Sequence, residues 1–263
     1  MRVHSARVVY AGYRHEFPRG TVAAAHTFRN CFTRRMRPII EAPSSPRAHG
    51  GSRVIRTNAL RVGGGLGLPY AREYLDNNVA VAARLPSPRG HLDPRTIIEA
   101  VPGGWFYLAA LPGSQIIAVF ITSTLVPSER RARLRWWLEA LARTNLVRHA
   151  LNGCRLPEIL SVANARASFA RSGAGDSWFA IGDARIAPDP LSGQGIIWAI
   201  DDATSTAELL TRMEWRDLAE HVRVRTARDI KAYRVERSRV YSSEQRFKGD
   251  VYWSMSQSLP TSP

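Results

Sequence analysis

Trp178-Phe-Ala-Ile-Gly-Asp-Ala-Arg-Ile-Ala-Pro-Asp-Pro-Leu-Ser-Gly-Gln-Gly-Ile-Ile197 is the stretch whose reading decides the fold of this chain. It predicts a buried strand over Trp178–Ile181, a Gly-Asp pair at the strand's end, and a proline-rich loop. A Gly-Gln-Gly then opens a helix. A carboxylate at a strand's C-terminal end can accept hydrogen bonds from ligand hydroxyls. A helix start flanked by glycines offers free backbone N–H groups and a partial positive charge to an electron-rich group. One short segment therefore carries two devices for gripping a polar ligand.

Outward from that segment, the chain of 263 residues is long enough for one large domain or two small ones. A 44% hydrophobic content suits a packed core, and no apolar run is long enough to predict a membrane span. The N-terminus is basic but has no apolar core segment, so it does not read as a secretory signal. The two cysteines, Cys31 and Cys154, lie far apart and outside any metal-binding spacing. They predict reduced thiols in a cytoplasmic protein, and no metal site.

Net charge is +15, and 35 of the 37 basic residues are arginine. Residues 1–70 hold 12 of those arginines against Glu16 and Glu41, which places ten of the net charges there. Pro18, Pro38, Pro43, Pro46 and Pro69 interrupt every candidate element in that segment, and residues 42–52 are Pro/Ser/Gly-rich. Residues 1–70 are therefore expected to be irregular or disordered. The glycines of Val62-Gly-Gly-Gly-Leu-Gly67 do not fall in the Gly-x-Gly-x-x-Gly frame, and Pro69 sits where a following helix would start.

From Asp76 the texture changes. Residues 78–85, 96–101, 104–111 and 115–121 read as four strands. Pro102-Gly-Gly and Pro112-Gly-Ser punctuate them as hairpins of an antiparallel sheet. Ser128 is the expected cap of a helix over 129–144, with Leu134, Trp137, Leu138 and Leu141 on one face and Trp136 beside them. Residues 159–163 and 165–170 are strand material, and the opening segment follows. Helices are expected over about 193–211 and from about 216 to 236 or beyond. An aromatic tail over 247–253 completes the pattern.

Within the signature, Gly182 lets a ligand chain lie close to the backbone and Asp183 can accept from its hydroxyls. Pro190 and Leu191 shape the loop, and Gly193, Gln194 and Gly195 leave the helix start open. A flat ring's carbonyl oxygen fits there, polarised by the N–H groups.

Gly182-Asp-Ala-Arg-Ile-Ala-Pro-Asp-Pro-Leu-Ser-Gly-Gln-Gly-Ile196 resembles the second flavin-binding signature of FAD-dependent oxidoreductases related to tryptophan halogenases and aromatic hydroxylases. Ile98-Glu-Ala-Val-Pro-Gly-Gly-Trp-Phe-Tyr-Leu-Ala-Ala-Leu-Pro112 resembles the strand pair of their substrate domain. Tyr233, Arg237, Tyr241, Glu244 and Tyr252-Trp253 resemble their C-terminal helix and aromatic tail. The resemblance covers about residues 76–253. It implies an α/β fold with α+β character: an antiparallel substrate-domain sheet plus the C-terminal part of an FAD-binding Rossmann-like domain. The segments would be 1–70, a degenerate remnant of the nucleotide domain; 71–175, the sheet and its helix; and 176–263, the flavin-binding strand–loop–helix and C-terminal helices.

The resemblance also implies FAD as cofactor, held by Gly182, Asp183, Pro190, Leu191, Gly193, Gln194 and Gly195. NAD(P)H or a separate flavin reductase would supply electrons. The reaction would be a monooxygenase-type oxidation of a small, planar or aromatic substrate. In this group the flavin itself carries the chemistry, so no protein nucleophile is expected and none is singled out. His91, His149 and His221 are isolated, and Ser192 is not in a Gly-x-Ser-x-Gly elbow. Trp105 and Tyr107 share one strand face; they line a substrate cavity on one reading and pack the core on the other.

Three departures stand against the family pattern. The opening strand–Gly-x-Gly-x-x-Gly–helix unit and its acidic partner have no counterpart. Arg185 replaces a small residue in Gly-Asp-Ala-Ala, where it would be tolerated or would obstruct the flavin. Trp-x-Trp-x-Ile-Pro is absent and no lysine precedes Lys231, which counts against halogenation. Two other readings stay open: a cofactor-less remnant of such an enzyme, and a basic nucleic-acid-binding module, although the arginines of residues 1–70 cluster on no face.

Overall fold

The computed structural model describes residues 7–10, 13–16, 54–56, 71–87, 96–175 and 178–257. Chain contacts divide it into two compact units, and neither is continuous in sequence. The first comprises Met1–Arg29, Asp76–Ala165 and Ser238–Pro263; the second comprises Asn30–Leu75 and Arg166–Arg237. The sequence had suggested contiguous segments instead.

The first unit is built on a seven-stranded sheet. Its strands are β1 (Arg7–Tyr10), β2 (Tyr13–Glu16), β5 (Val79–Pro86), β6 (Ile97–Val101), β7 (Gly104–Leu111), β8 (Gln115–Thr122) and β9 (Leu160–Asn164), in the order β2-β1-β6-β7-β8-β5-β9. All neighbours are antiparallel except β1 and β6. The hairpins fall where Pro-Gly predicts them: Gly103 and Gly113 both hold positive φ in the two turns. Gly104 has no room for a side chain, since a Cβ there would lie 2.1 Å from the Ile121 carbonyl oxygen.

Strand alternation sends Phe106, Leu108, Ile116, Phe120, Val81 and Ala83 to one face. Helix α1 (Arg130–Ala142) lays Trp137 on that face. Phe106 and Phe120 stack at 4.8 Å, and Trp137 meets Phe106 edge-on at 5.6 Å. The Trp137 indole donates to the Val81 carbonyl, so even the polar atom of this core is satisfied. The short α2 (Leu146–Ala150) is held by Glu99, which accepts from the Asn145 and Val147 N–H groups.

The cap of α1 differs from expectation. Glu129, not Ser128, is the N-cap, and its carboxylate accepts from Arg131 and Ala132 N–H. A longer carboxylate does the work of a hydroxyl there and adds a charge at the positive helix end. These contacts hold the Glu129 carboxyl below its usual range.

The second unit holds a three-stranded antiparallel sheet of β4 (Arg72–Tyr74), β10 (Ser168–Ala170) and β12 (Ile186–Ala187), in the order β12-β10-β4. A parallel pair, β3 (Val54–Arg56) with β11 (Trp178–Ala180), accompanies it. Helix α3 (Gly195–Leu210) follows the signature loop, and α4 (Trp215–Ser242) begins here. Phe179 and Ile181 pack with Leu218, Ala219 and Val222 of α4. Ser238–Ser242 at the end of α4 counts with the first unit, as does the last helix, α5 (Val251–Gln257).

Residues 1–70 were expected to be irregular, yet β1, β2 and β3 fall inside them. Val8-Val9-Tyr10 and Val54-Ile55 are β-branched and aromatic runs, which proline counts over the whole segment obscure. The stretches Ala42–Ser52 and Val62–Gly67, Cys31 and His91 lie outside the described residues.

Candidate functional site

The signature becomes a strand, a 3₁₀ turn (Gly182–Ala184), β12, a second 3₁₀ turn (Pro190–Ser192) and α3. Gly182 takes φ +58°, a left-handed conformation that glycine adopts without strain. That bend carries Asp183 away from the line of β11. An ideal Cβ on Gly195, the first residue of α3, would lie 4.0 Å from Asp183 Oδ1. The carboxylate therefore stands beside the start of the helix, in contact distance of a residue twelve positions on.

Three features of this spot bear on chemistry. The Asp183 carboxylate makes no hydrogen bond to any described residue. It is half-buried, and burial pushes its carboxyl above the usual range, with Arg72 opposing the rise. The N–H groups of Gly195, Ile196 and Ile197 likewise have no protein acceptor among the described residues, because Trp198 makes the first bond of the helix. Gln194 sits at the N-cap without a side-chain cap bond. Gly193 takes φ +61°, and nothing lies within 4 Å of where its Cβ would be.

The loop that brings these groups together is braced from behind. Asp189 is buried, and its carboxylate accepts from Leu191 N–H to cap the second 3₁₀ turn. Its own N–H donates to the Tyr233 hydroxyl at 2.6 Å, and Arg237 Nε lies 3.5 Å from its other oxygen. Pro190 follows at the first position of that turn, where its missing N–H costs nothing.

Arg185, flagged as a departure that could obstruct a ligand, turns inward. Its Nε donates to Asp202 Oδ2 at 2.8 Å and one terminal nitrogen to Asp229 at 2.9 Å. Asp202 also accepts from Gly182 N–H at 2.7 Å and pairs with Arg225 at 3.1 Å. The guanidinium thus ties the signature turn to α3 and α4. Sequence reasoning missed Asp202, Arg225 and Asp229, which the fold joins to Arg185 and to one another across 4 to 44 residues and whose own helix faces look ordinary.

Arg72 of β4 was also missed. It donates to the carbonyl oxygens of Ala184 (2.6 Å) and Asp183 (3.0 Å) and to Ser168 Oγ (2.8 Å).

Trp105 and Tyr107 lie in the first unit, on the sheet face opposite α1. Trp105 is fully buried, and its indole donates to the Tyr252 hydroxyl at 3.0 Å. Trp253 donates to the Val101 carbonyl beside it. Tyr107 is only half-buried, and its phenol is pushed up by that burial and drawn down by a bond with Thr96. His149 and His221 are exposed. No group of His, Cys, Asp and Glu among the described residues is placed to hold a metal ion. No helix among them is long and apolar enough to cross a membrane.

No protein-family model matches the chain. In sequence it is similar to the proposed FAD-dependent oxidoreductase LodB of Marinomonas mediterranea, 26% identical over 180 residues, covering 68% of this chain and 48% of the relative. In structure it is similar to CmlS, a flavin-dependent halogenase, with a TM-score of 0.59 and 19% identity over 71% of this chain and 36% of that one. The myxobacterial chondrochloren halogenase CndH superimposes with a TM-score of 0.59 and 16% identity, over 73% of this chain and 47% of its own. The chain shares part of the fold of these structures. Within that fold also stands QhpG, a peptidyl tryptophan dihydroxylase, at a TM-score of 0.52 and 20% identity over 76% of this chain and 47% of that one. Both comparisons agree with the resemblance carried by the 182–196 signature. The chain spans about half the length of the curated relative it matches.

Proposed function

We propose that the second unit holds the ring and ribityl parts of FAD, and that the chain serves an FAD-dependent oxidoreductase of the monooxygenase type. The observation that carries this reading is one juxtaposition. A carboxylate with no hydrogen-bond partner among the described residues stands beside three backbone N–H groups that likewise have no acceptor among them, at a helix start kept open by glycine.

The residues present suit that part of the cofactor. A ribityl chain brings hydroxyl donors, which Asp183 can accept, and Gly182 leaves its backbone uncovered. The carbonyl edge of the flavin ring brings an acceptor, which the N–H groups of Gly195, Ile196 and Ile197 can meet. Pro190 and Leu191 shape the approach, and Gly193 and Gln194 stand exposed at its rim. Arg185 does not intrude, since both its ion pairs face the interior. No glycine-rich turn for the diphosphate occurs among the described residues, and the Val62–Gly67 glycines lie outside them.

When bound, FAD supplies two-electron transfer and reaction with oxygen. The protein's share is to bind, orient and tune it. The partial positive charge of the α3 start favours the electron-rich reduced ring. NAD(P)H, directly or through a flavin reductase, is the proposed electron source. A small planar substrate is proposed, with Tyr107 as the strand residue that keeps surface to offer it; Trp105 is engaged with Tyr252.

The test is retention of flavin. The purified chain, mixed with FAD and passed through gel filtration, should elute with flavin's visible absorption bands. Asp183→Ala should elute colourless yet folded. A colourless wild-type chain would overturn the assignment.

A further inference from the structure

We propose that Arg72 is the positioning residue for Asp183: it pins the turn on which Asp183 stands and brings a positive charge beside it, without taking either carboxylate oxygen as a hydrogen-bond acceptor. This deepens the flavin-site reading above and rests on it only for the identity of the ligand.

The geometry is unusual for an arginine beside an aspartate. A guanidinium near a carboxylate ordinarily forms a bidentate ion pair with it. Arg72 instead spends its donors on two consecutive main-chain carbonyls, Asp183 O at 3.0 Å and Ala184 O at 2.6 Å, and on Ser168 Oγ at 2.8 Å. These three acceptors fix the guanidinium plane. The same bonds also give two main-chain carbonyls of the turn a charged donor. Ser168 is itself buried in the middle strand of the three-stranded sheet, so the anchor is rigid.

The charged surroundings of Asp183 are few. From β4 comes Arg72; Glu73, next to it, is engaged with Arg234 at 2.6 Å. From α3 come backbone N–H groups and no side-chain charge at its start. On the turn itself, Arg185 is engaged with Asp202 and Asp229. Arg72 is the cation whose attraction works against the desolvation of the Asp183 carboxyl. The result is a carboxylate with a cation beside its turn and no hydrogen-bond partner among the described residues. A direct ion pair would hold the charge equally well but would block the hydroxyls the carboxylate is there to meet.

The experiment reads Asp183 directly and needs no flavin. In protein carrying ¹³C-carboxyl aspartate, the Asp183 resonance is assigned by its loss in Asp183→Asn, then titrated in wild type, Arg72→Gln and Arg72→Lys. Arg72→Gln keeps a donor for the Ala184 carbonyl but no charge, so its Asp183 should titrate at higher pH than wild type. Arg72→Lys should move it back toward wild type. An unchanged midpoint in folded Arg72→Gln overturns the proposal. Where Arg72→Gln does not fold, a wild-type midpoint in Asp183 of Arg72→Lys with its turn displaced by nuclear Overhauser contacts also overturns it, because charge and placement would then be separable.

A second arm measures FAD affinity. Arg72→Gln should weaken binding, relative to wild type at the same pH, by a larger factor at about pH 5.5 than at about pH 8, since the variant's Asp183 is the more protonated there. A merely structural loss weakens binding equally at both. A protein that binds no FAD, but whose Asp183 responds to Arg72 as stated, overturns the proposed function and leaves this assignment standing.

Discussion

Arg185 gives its Nε–H to Asp202 across 2.8 Å, with both side chains almost wholly shielded from water. Asp202 in turn accepts the N–H of Gly182, so one carboxylate closes both the turn and the ion pair. A buried charge stripped of its partner costs far more than the pair contributes, about 3–5 kcal/mol. Asp202→Ala strands Arg185 beside Asp229 alone and frees the Gly182 N–H. Its urea midpoint should fall by an amount equal to about 3 kcal/mol, with an unchanged slope. Arg228→Ala, at an exposed pair, should change it by less than about 1 kcal/mol.

Asp183 should show a trade between stability and ligand binding. Its carboxyl is raised in the folded chain by burial. For an acid raised on folding, stability is greatest below the unfolded-state pKa and is lost as pH rises through the folded one. The ionised side chain therefore weighs against the apo fold at neutral pH. Asp183→Asn should raise the apo Tm at neutral pH and leave it nearly unchanged in acid. The same variant should lose the Tm gain that added FAD confers on wild type. Thermal scans with and without FAD give both results.

Gly104 should tolerate no side chain. A Cβ there falls 2.1 Å from a main-chain oxygen of β8 and 2.8 Å from the Phe120 ring. Gly104→Ala must part β7 from β8 at the hairpin, and a loss of about 2–4 kcal/mol is expected from backbone overpacking. Gly113→Ala, with open space around it, should lose less, from its φ of +75° alone. Comparative denaturation of the two variants checks the ranking.

Glu99 should hold α2 in place. Its carboxylate accepts from Asn145 and Val147 N–H at 2.6 and 2.9 Å from a buried position on β6. Glu99→Ala leaves both donors without that acceptor, at a cost of about 1–3 kcal/mol. Hydrogen exchange at Val147 should rise sharply while exchange at Trp137 changes little.

Much of this was legible in the residues. Pro102-Gly and Pro112-Gly mark hairpins because proline and glycine fix backbone angles locally, and β6, β7 and β8 fall where the pattern puts them. The signature was legible for the same reason: Gly182, Gly193 and Gly195 act through their own backbone. The braces were not. Asp202 sits on α3 among residues of mixed polarity, and its meaning depends on Gly182 and Arg185, about one strand and one loop away. Glu99 reads as a solvent-facing residue of an alternating strand until α2 is laid over it. Arg185 reads equally as tolerated or obstructing in the sequence, because a sequence does not say which way a long side chain turns. Arg72 lies more than a hundred residues from the turn it pins, beyond any local pattern.

The arginines of α4 carry a last consequence. Arg223, Arg225, Arg228, Arg234 and Arg237 each meet a carboxylate, of Glu220, Asp202, Asp229, Glu73 and Asp189. A helix that looks like a polyelectrolyte in one dimension is, once folded, partly a row of fasteners: Arg225, Arg234 and Arg237 meet their carboxylates largely out of water, while the pairs of Arg223 and Arg228 lie at the surface. A count of this helix's arginines thus overstates the free positive charge that a passing polyanion or an ion-exchange resin meets along it. Replacing Arg225 and Arg237 by lysine would keep that count intact and still take guanidinium donors away from Asp202 and Asp189, because the count never described where the charges are spent.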